Sequence, residues 1–281
     1  MLARKDVFLK KIIALCLAAL SLCSLLALGA SAASYVKIYI DGTPFSGDIQ
    51  VQNYTTYVGI RSFSTAMDPS AKVTYSKETR TLHVQTGALT LSCTDGSHVI
   101  AANGRYLYHE QPVYMKGGKM YAPILLLYRA FGAGIQWSDS LGGFSVTRGS
   151  GGIAHGSSFY KSDEVYWLSR IIHAEARGEP LRGKIAVGNV ILNRVRSPSF
   201  PNTIYGVIFD KKYGVQFTPT ANGSIYQTPS EESILAAKVC LEGYTISTAL
   251  LYFVNPAKSP NSWASKNRPY FGKIGNHAFY Y

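Results

Sequence analysis

Between residues 57 and 146 the chain repeats itself, and an internal repeat leaves few architectures open. Tyr57-Val-Gly-Ile-Arg-Ser-Phe-Ser-Thr-Ala66 aligns with Tyr121-Ala-Pro-Ile-Leu-Leu-Leu-Tyr-Arg-Ala130 at an offset of 64. The offset then becomes 62, where Val73-Thr-Tyr75 meets Ile135-Gln-Trp137 and Leu82-His-Val84 meets Phe144-Ser-Val146. Each copy predicts a strand, a short helix and two strands closed by a turn. Asp41-Gly42 and Asn103-Gly104 predict a hairpin ahead of each copy, since both residues accept the positive φ that tight hairpin turns require. The alternation in Val36-Lys-Ile-Tyr-Ile40 predicts a half-buried strand. The expectation is a β-rich N-terminal domain of two strand–helix–strand–strand units.

The first residues read differently. Arg4, Lys5, Lys10 and Lys11 precede an apolar run, Ile12 to Leu28, that ends in Ala30-Ser31-Ala32. This is the pattern of a signal peptide over 1–32, cut after Ala32. At 17 residues the run is short for a membrane span, so no stable membrane anchor is expected. The mature chain is then secreted. Cys93 and Cys240 remain in it, one in each half, and two buried thiols are expected rather than a disulfide scaffold.

The chain carries 28 Lys+Arg against 16 Asp+Glu, and removing the leader leaves a net charge of +9. The basic residues are scattered, without the run that marks a nucleic-acid arm, so no nucleic acid is expected as a partner. An anionic wall polymer suits both the charge and the compartment.

Residues 149–158, GSGGIAHGSS, read as a Gly/Ser linker, placed at 149–159. It divides the mature chain into 33–148 and 160–281. The second part predicts an α+β domain, mostly helical with a small β-sheet at its end. One helix starts at Ser162, with Asp163 and Glu164 in its first turn, and stops near Arg177 before Gly178 and Pro180. A second runs from Pro180 through Val195. A third opens on a capping box at Thr228-Pro-Ser-Glu231 and stops at Gly243. Ala249–Val254 and 270–281 predict strands.

Glu175 is the residue with chemistry in it. Leu168, Ile171 and Ile172 form an apolar stripe, and Glu175 is its i+7 member at the helix C-terminus. Apolar neighbours and the negative end of the helix dipole both disfavour ionisation. A carboxylic acid kept neutral can protonate a glycosidic oxygen. A frayed helix end would instead leave Glu175 solvated, or paired with Arg177 or Arg182. Asp163, Glu164, Glu231 and Glu232 belong to helix starts, which leaves Glu179, Asp210 and Glu242 as candidates for a second carboxylate.

The run His173-Ala-Glu-Ala-Arg-Gly-Glu-Pro180, followed by Gly183-Lys-Ile-Ala-Val-Gly-Asn-Val-Ile-Leu-Asn-Arg-Val195, resembles the spore cortex-lytic / cell-wall hydrolase family of the SleB/CwlJ type. Gln216-Phe217, Leu251-Tyr-Phe253, Asn255-Pro256 and Ile274-Gly-x-His277 continue the resemblance in order over about 160–281. It implies a lysozyme-like, transglycosylase-type domain that cleaves the MurNAc–GlcNAc backbone of peptidoglycan, in the cell wall or the spore cortex. Glu175 stands at the catalytic acid, and no cofactor or metal is implied. A lytic transglycosylase needs no second carboxylate, because the muramic 6-hydroxyl itself attacks C1. Relatives carry an acidic residue before the glycine where this chain has Asn222, which departs from the pattern. The N-terminal repeat resembles the copper amine oxidase N-terminal-like, or stalk, domain. His83, His98 and His109 lie on separate predicted elements without metal-ligand spacing, so an accessory module is expected there rather than a copper site.

Phe217, Tyr226, Tyr252 and Trp263 are candidates to stack on sugar rings, and Gln216, Thr218 and Asn255 to hydrogen-bond them. Two other classes stay open. A zinc N-acetylmuramoyl-L-alanine amidase would need about three ligands, for which His173, His277, Glu175 and Glu179 are available. A non-catalytic wall-binding protein would need no acid at 175.

Overall fold

The computed structural model describes residues 36–281 apart from Tyr213. The predicted leader lies outside the described residues. Among those described, no helix is long and apolar enough to cross a membrane.

The N-terminal half is built from β1 (Lys37–Ile40), β2 (Thr43–Pro44), β3 (Ile49–Gln52), β4 (Thr55–Gly59), α1 (Ile60–Met67), β5 (Lys72–Ser76), β6 (Thr81–Gln85), β7 (Thr90–Thr94), β8 (Val99–Ala102), β9 (Arg105–Tyr108), β10 (Tyr114–Lys116), β11 (Lys119–Pro123), α2 (Ile124–Ala130), β12 (Gly134–Ser138) and β13 (Gly143–Thr147). Its strands form three sheets, in the orders β12-β13-β1-β2, β10-β11-β4-β3 and β5-β6-β7-β8-β9. At Asp41-Gly42 and Asn103-Gly104 all four residues have positive φ, as the hairpin turns demand. β4 and β11 pair antiparallel about Val58 and Ala122, so Tyr57 faces Pro123 and Tyr121 faces Gly59. Helix α1 turns Ile60, Phe63 and Met67 inward, and Phe63 meets Phe131 edge-on at 6.0 Å. Each such side chain contributes about 1.5–3 kcal/mol on burial.

The C-terminal half contains α3 (Gly156–Phe159), α4 (Ser162–Ala176), α5 (Leu181–Arg196), α6 (Ile204–Ile208), α7 (Thr218–Asn222), a 3₁₀ turn at Ser224–Tyr226, α8 (Glu231–Leu241), β14 (Tyr252–Val254), α9 (Trp263–Asn267), β15 (Tyr270–Ile274) and β16 (His277–Tyr280). It is mixed α and β, with α4, α5 and α8 around one core and a small sheet in the order β14-β16-β15. Gly188 lets these helices meet: a Cβ there would lie 2.7 Å from Cys240 Sγ and 2.9 Å from Ile172 Cδ1. Asn189 and Asn193, both buried on α5, spend their amides on the chain that follows α8. Asn189 donates to Tyr244 O and accepts from Ile246 N, each at 2.9 Å, and Asn193 donates to Ser247 O and Leu250 O. Cys93 and Cys240 are unpaired and buried, in separate cores.

Two sequence expectations are corrected. The third helix is capped by Ser230, whose hydroxyl accepts from Ser233 N, and not by Thr228. Pro229 therefore precedes the cap, and Glu231 and Glu232 occupy the first turn. The segment 149–159, expected to be a free linker, is fastened down. Asn103 Nδ2 donates to Ile153 O, Ile153 N to Ala130 O and Gly156 N to Asn103 O. Its glycines are there for contact: a Cβ on Gly152 would meet Ala88 O at 2.1 Å, and one on Gly149 would meet Gly132 O at 2.0 Å.

The two halves also share a buried polar junction. Arg105 on β9 donates from Nε and Nη2 to Glu242, at 2.8 and 2.6 Å, and the Tyr160 hydroxyl donates to the same carboxylate at 2.6 Å. Arg129 stands 3.5 Å away. Tyr108 packs on Tyr244 with centroids 4.4 Å apart, and Glu110 accepts from Arg182 and from the Tyr244 hydroxyl.

Removing one partner of a buried ion pair strands the other, so Arg105→Ala should cost about 3 kcal/mol in urea unfolding. A chain nicked once within 149–158 should still elute as one particle in size exclusion. Separation of the halves at low micromolar concentration would contradict this junction.

Candidate active site

The stripe on α4 does what its spacing predicts. Leu168, Ile171 and Ile172 are wholly buried, and Glu175, one turn further, reaches the surface only in part. It opens into a cleft of about 880 Å³ between the helices and the small sheet. Burial raises the Glu175 pKa above the usual 4.5, and the nearby charge of Lys258 opposes that rise. No hydrogen bond reaches its carboxylate among the described residues. Neither Arg177 nor Arg182 pairs with it: Arg182 is engaged with Glu110.

The other acids are occupied. Glu179 also lines the cleft, yet both of its oxygens are bound. Asn276 N donates to Oε2 at 2.7 Å and Asn276 Nδ2 to Oε1 at 3.1 Å, which clamps the β15–β16 turn. That turn needs glycine at 275: its φ is +59°, and a Cβ would lie 1.9 Å from Glu179 Oε2. Glu242 is the interdomain acceptor described above. Asp210 lies beyond Gln216 in a neighbouring pocket, where it accepts from Lys212 N at 2.9 Å.

Of the residues singled out from sequence, Gln216, Phe217, Thr218 and Asn255 line the cleft with Glu175. Phe217 is only 4% exposed and packs toward Phe253 and the Arg194 guanidinium, so it serves as wall. Asn255 Oδ1 accepts from Ala257 N, and its carbonyl from Lys258 N and Ser259 N, which shapes the loop that carries Lys258. Tyr252 and Trp263 lie in the neighbouring pocket, which Gln216 joins to the cleft. Their rings are 5.7 Å apart, and Arg268 sits 4.9 Å from both centroids. Tyr226 is outside both pockets, though Ser224 and Gln227 beside it line the cleft. Asn222 lines it too, and accepts from Ser224 N.

Sequence reasoning assigns no substrate-side role to Arg194 or Lys258, and treats His277 only as a motif position and a candidate zinc ligand; all three are in the cleft lining. Arg194 interrupts the apolar face of α5, a signal of the same kind as Glu175. Its Nε donates to Leu251 O at 2.8 Å, and burial pulls its pKa down to about 10. His277 is buried and its pKa lowered by desolvation, with Lys258 adding to that effect and Glu179 opposing it. Lys258 sits in a loop without periodicity, where no pattern could have marked it.

Residues 178–280 match the family model for Cell Wall Hydrolase, and residues 39–144 that for the Copper amine oxidase N-terminal domain. A spore cortex-lytic enzyme of Bacillus cereus is 40% identical over 120 residues, covering 43% of this chain and 45% of that protein. The cell wall hydrolase CwlJ of Oceanobacillus iheyensis is 31% identical, covering 42% of this chain and 85% of that protein. The chain belongs to the cell wall hydrolase family. It spans about half the length of the spore cortex-lytic relatives it matches. Among solved structures, the catalytic domain of the germination-specific lytic transglycosylase SleB from Bacillus anthracis is 38% identical. That match covers 46% of this chain and all of that one, with a TM-score of 0.40.

A carboxyl with a raised folded-state pKa holds a proton that the unfolded chain has released. Its contribution to stability is present below pH 4.5 and is lost as pH rises through the folded pKa. Glu175→Gln should therefore melt above the wild type near neutral pH and level with it in acid. Equal melting curves at both ends would contradict a desolvated Glu175.

Proposed function

We propose that the chain is a secreted peptidoglycan hydrolase that cleaves the MurNAc–GlcNAc backbone of the cell wall or spore cortex as a lytic transglycosylase. The observation that carries this reading is the state of the acids. Glu175 is desolvated and unpaired in a cleft, while the other carboxylate there, Glu179, has both oxygens bound to Asn276. The relatives' description as spore cortex-lytic enzymes, and that of SleB as a lytic transglycosylase, support it. In this reading residues 160–281 form a lysozyme-like, transglycosylase-type catalytic domain, and 33–148 a duplicated accessory module.

Neutral Glu175 protonates the glycosidic oxygen as the C1–O bond breaks, and the cation at C1 develops beside the new carboxylate. Lys258 favours that carboxylate electrostatically. The muramic 6-hydroxyl then attacks C1 and returns its proton to Glu175, leaving a 1,6-anhydro ring and consuming no water. Holding that hydroxyl near C1 supplies much of the rate. Hydrolysis would instead need a free second carboxylate about 5–9.5 Å from the acid. Gln216, Thr218 and Asn255 are the proposed hydrogen-bonding contacts near Glu175, with Tyr252 and Trp263 as stacking faces and Phe217 as the wall behind them. Peptidoglycan is the proposed partner, and other anionic wall polymers suit the net charge of +9 that remains without the leader.

An amidase would need about three ligands converging on zinc. His173 is bonded to Ser230 N and Ser233, and it does not share the cleft lining with His277.

Glu175→Gln should lower lysis of purified wall at least about 100-fold, the lower bound for a general acid, with wall binding retained. Glu179→Gln should lose much less. Mass spectrometry of the released muropeptides should show 1,6-anhydromuramic ends. Reducing ends would overturn the transglycosylase step, and free stem peptides would favour the amidase.

A further inference from the structure

Beyond the cleft lining, α4, α6 and the 3₁₀ turn bring together a group of aromatic side chains that the Glu175 chemistry leaves unused. Trp167 is its hub. The ring centroids of Tyr166, Tyr205, Phe209 and Tyr226 lie 4.9, 5.1, 5.3 and 6.4 Å from it. Tyr205 and Phe209 are 4.5 Å apart, with 30° between their planes. A core cluster hides its rings, but here Tyr166, Tyr205 and Tyr226 remain 43%, 53% and 60% exposed. The Arg170 guanidinium lies 3.8 Å over Tyr166, and its Nε has no hydrogen-bond partner among the described residues.

This surface borders the cleft at the 3₁₀ turn. Tyr226 ends the 3₁₀ turn whose Ser224, with the next residue Gln227, lines the wall near Glu175. Trp167 precedes Glu175 by eight residues on one helix, about 12 Å along its axis. A strand of sugars held at Glu175 and passing the 3₁₀ turn would meet these rings next.

We infer that Tyr166, Trp167, Tyr205 and Tyr226 form an outer subsite for a further stretch of the same polysaccharide strand. The inference rests on the glycan-cleaving reading of the Glu175 cleft and extends it. The exposed rings are all tyrosines, each an apolar face with a polar edge. A pyranose ring has the same division, with C–H groups on its face and hydroxyl and acetamido groups around its rim. Because the rings brace one another through Trp167, little side-chain freedom is lost when a sugar settles on them.

The test measures binding of peptide-free glycan, as a tetrasaccharide and as long strands, to the Glu175→Gln protein, which does not consume its ligand. Adding Tyr205→Ala and Tyr226→Ala should weaken long-strand binding about tenfold and leave the tetrasaccharide within about twofold. Tyr205→Phe, which keeps the ring, should bind as the parent does. If the double variant loses its cooperative melting transition, Tyr205→Gln alone at that half-exposed position should show the same length dependence. Equal losses for both lengths, or no loss for either, would overturn the outer subsite. A parent protein that binds neither length would overturn the glycan reading itself, which is a separate outcome.

Discussion

The contact of α5 with α4 and α8 across Gly188 governs where everything else in the C-terminal half can lie. With hydrogen in place of a side chain, α5 comes within reach of Ile172 and Cys240 together. The Leu168–Ile171–Ile172 stripe is then sealed, α4 cannot roll about its axis, and Glu175 has one direction left to face. Its raised pKa follows from that geometry. An acid at the same position on a loosely packed helix would turn toward water and ionise. The buried amides of Asn189 and Asn193 extend the constraint to residues 244–250 and so to β14, which forms the opposite wall.

The small sheet is held to this frame by Glu179. Its carboxylate accepts twice from Asn276, and Gly275 supplies the φ of +59° and the room that the turn requires. Glu175 and Glu179, only four residues apart in the chain, are thus separated by their partners. One has none among the described residues and is free to exchange a proton. The other is consumed in bringing His277 and Asn276 to the cleft. Glu242 does for the junction of the two halves what Glu179 does for the sheet, gathering Arg105, Arg129 and Tyr160 around one buried carboxylate.

Local pattern foretold what local pattern determines. The apolar stripe predicted the buried face of α4 with a partly buried Glu175 at its end, and Pro180 and Gly178 marked the break between α4 and α5. Partners far apart in the chain were beyond its reach. Glu179 meets Asn276 across 97 residues, and Arg105 meets Glu242 across 137. The 149–159 segment shows how composition misleads. Glycine allows flexibility, but it also allows backbones to touch, and Gly149 and Gly152 are used for touching. Tyr252 and Trp263 were grouped with Glu175 because they flank loops, whereas the structure places them in an adjoining pocket that Gln216 connects to the cleft.

The central claim is that packing raises the pKa of Glu175, so that the acid proposed to serve a glycosidic oxygen keeps its proton to higher pH than an ordinary glutamate. Carbon-detected NMR titration of the Glu175 side-chain carboxyl, assigned by its disappearance in Glu175→Gln, tests this most directly. The account predicts a midpoint displaced above the ordinary 4.5 of a glutamate, and a further upward displacement is not expected when Lys258 is retained. Replacing Lys258 with Met should move the midpoint higher, because the charge that opposes burial is gone. A Glu175 midpoint at or below 4.5 would contradict the account, since such a carboxyl would already be ionised at the pH where it must give up a proton.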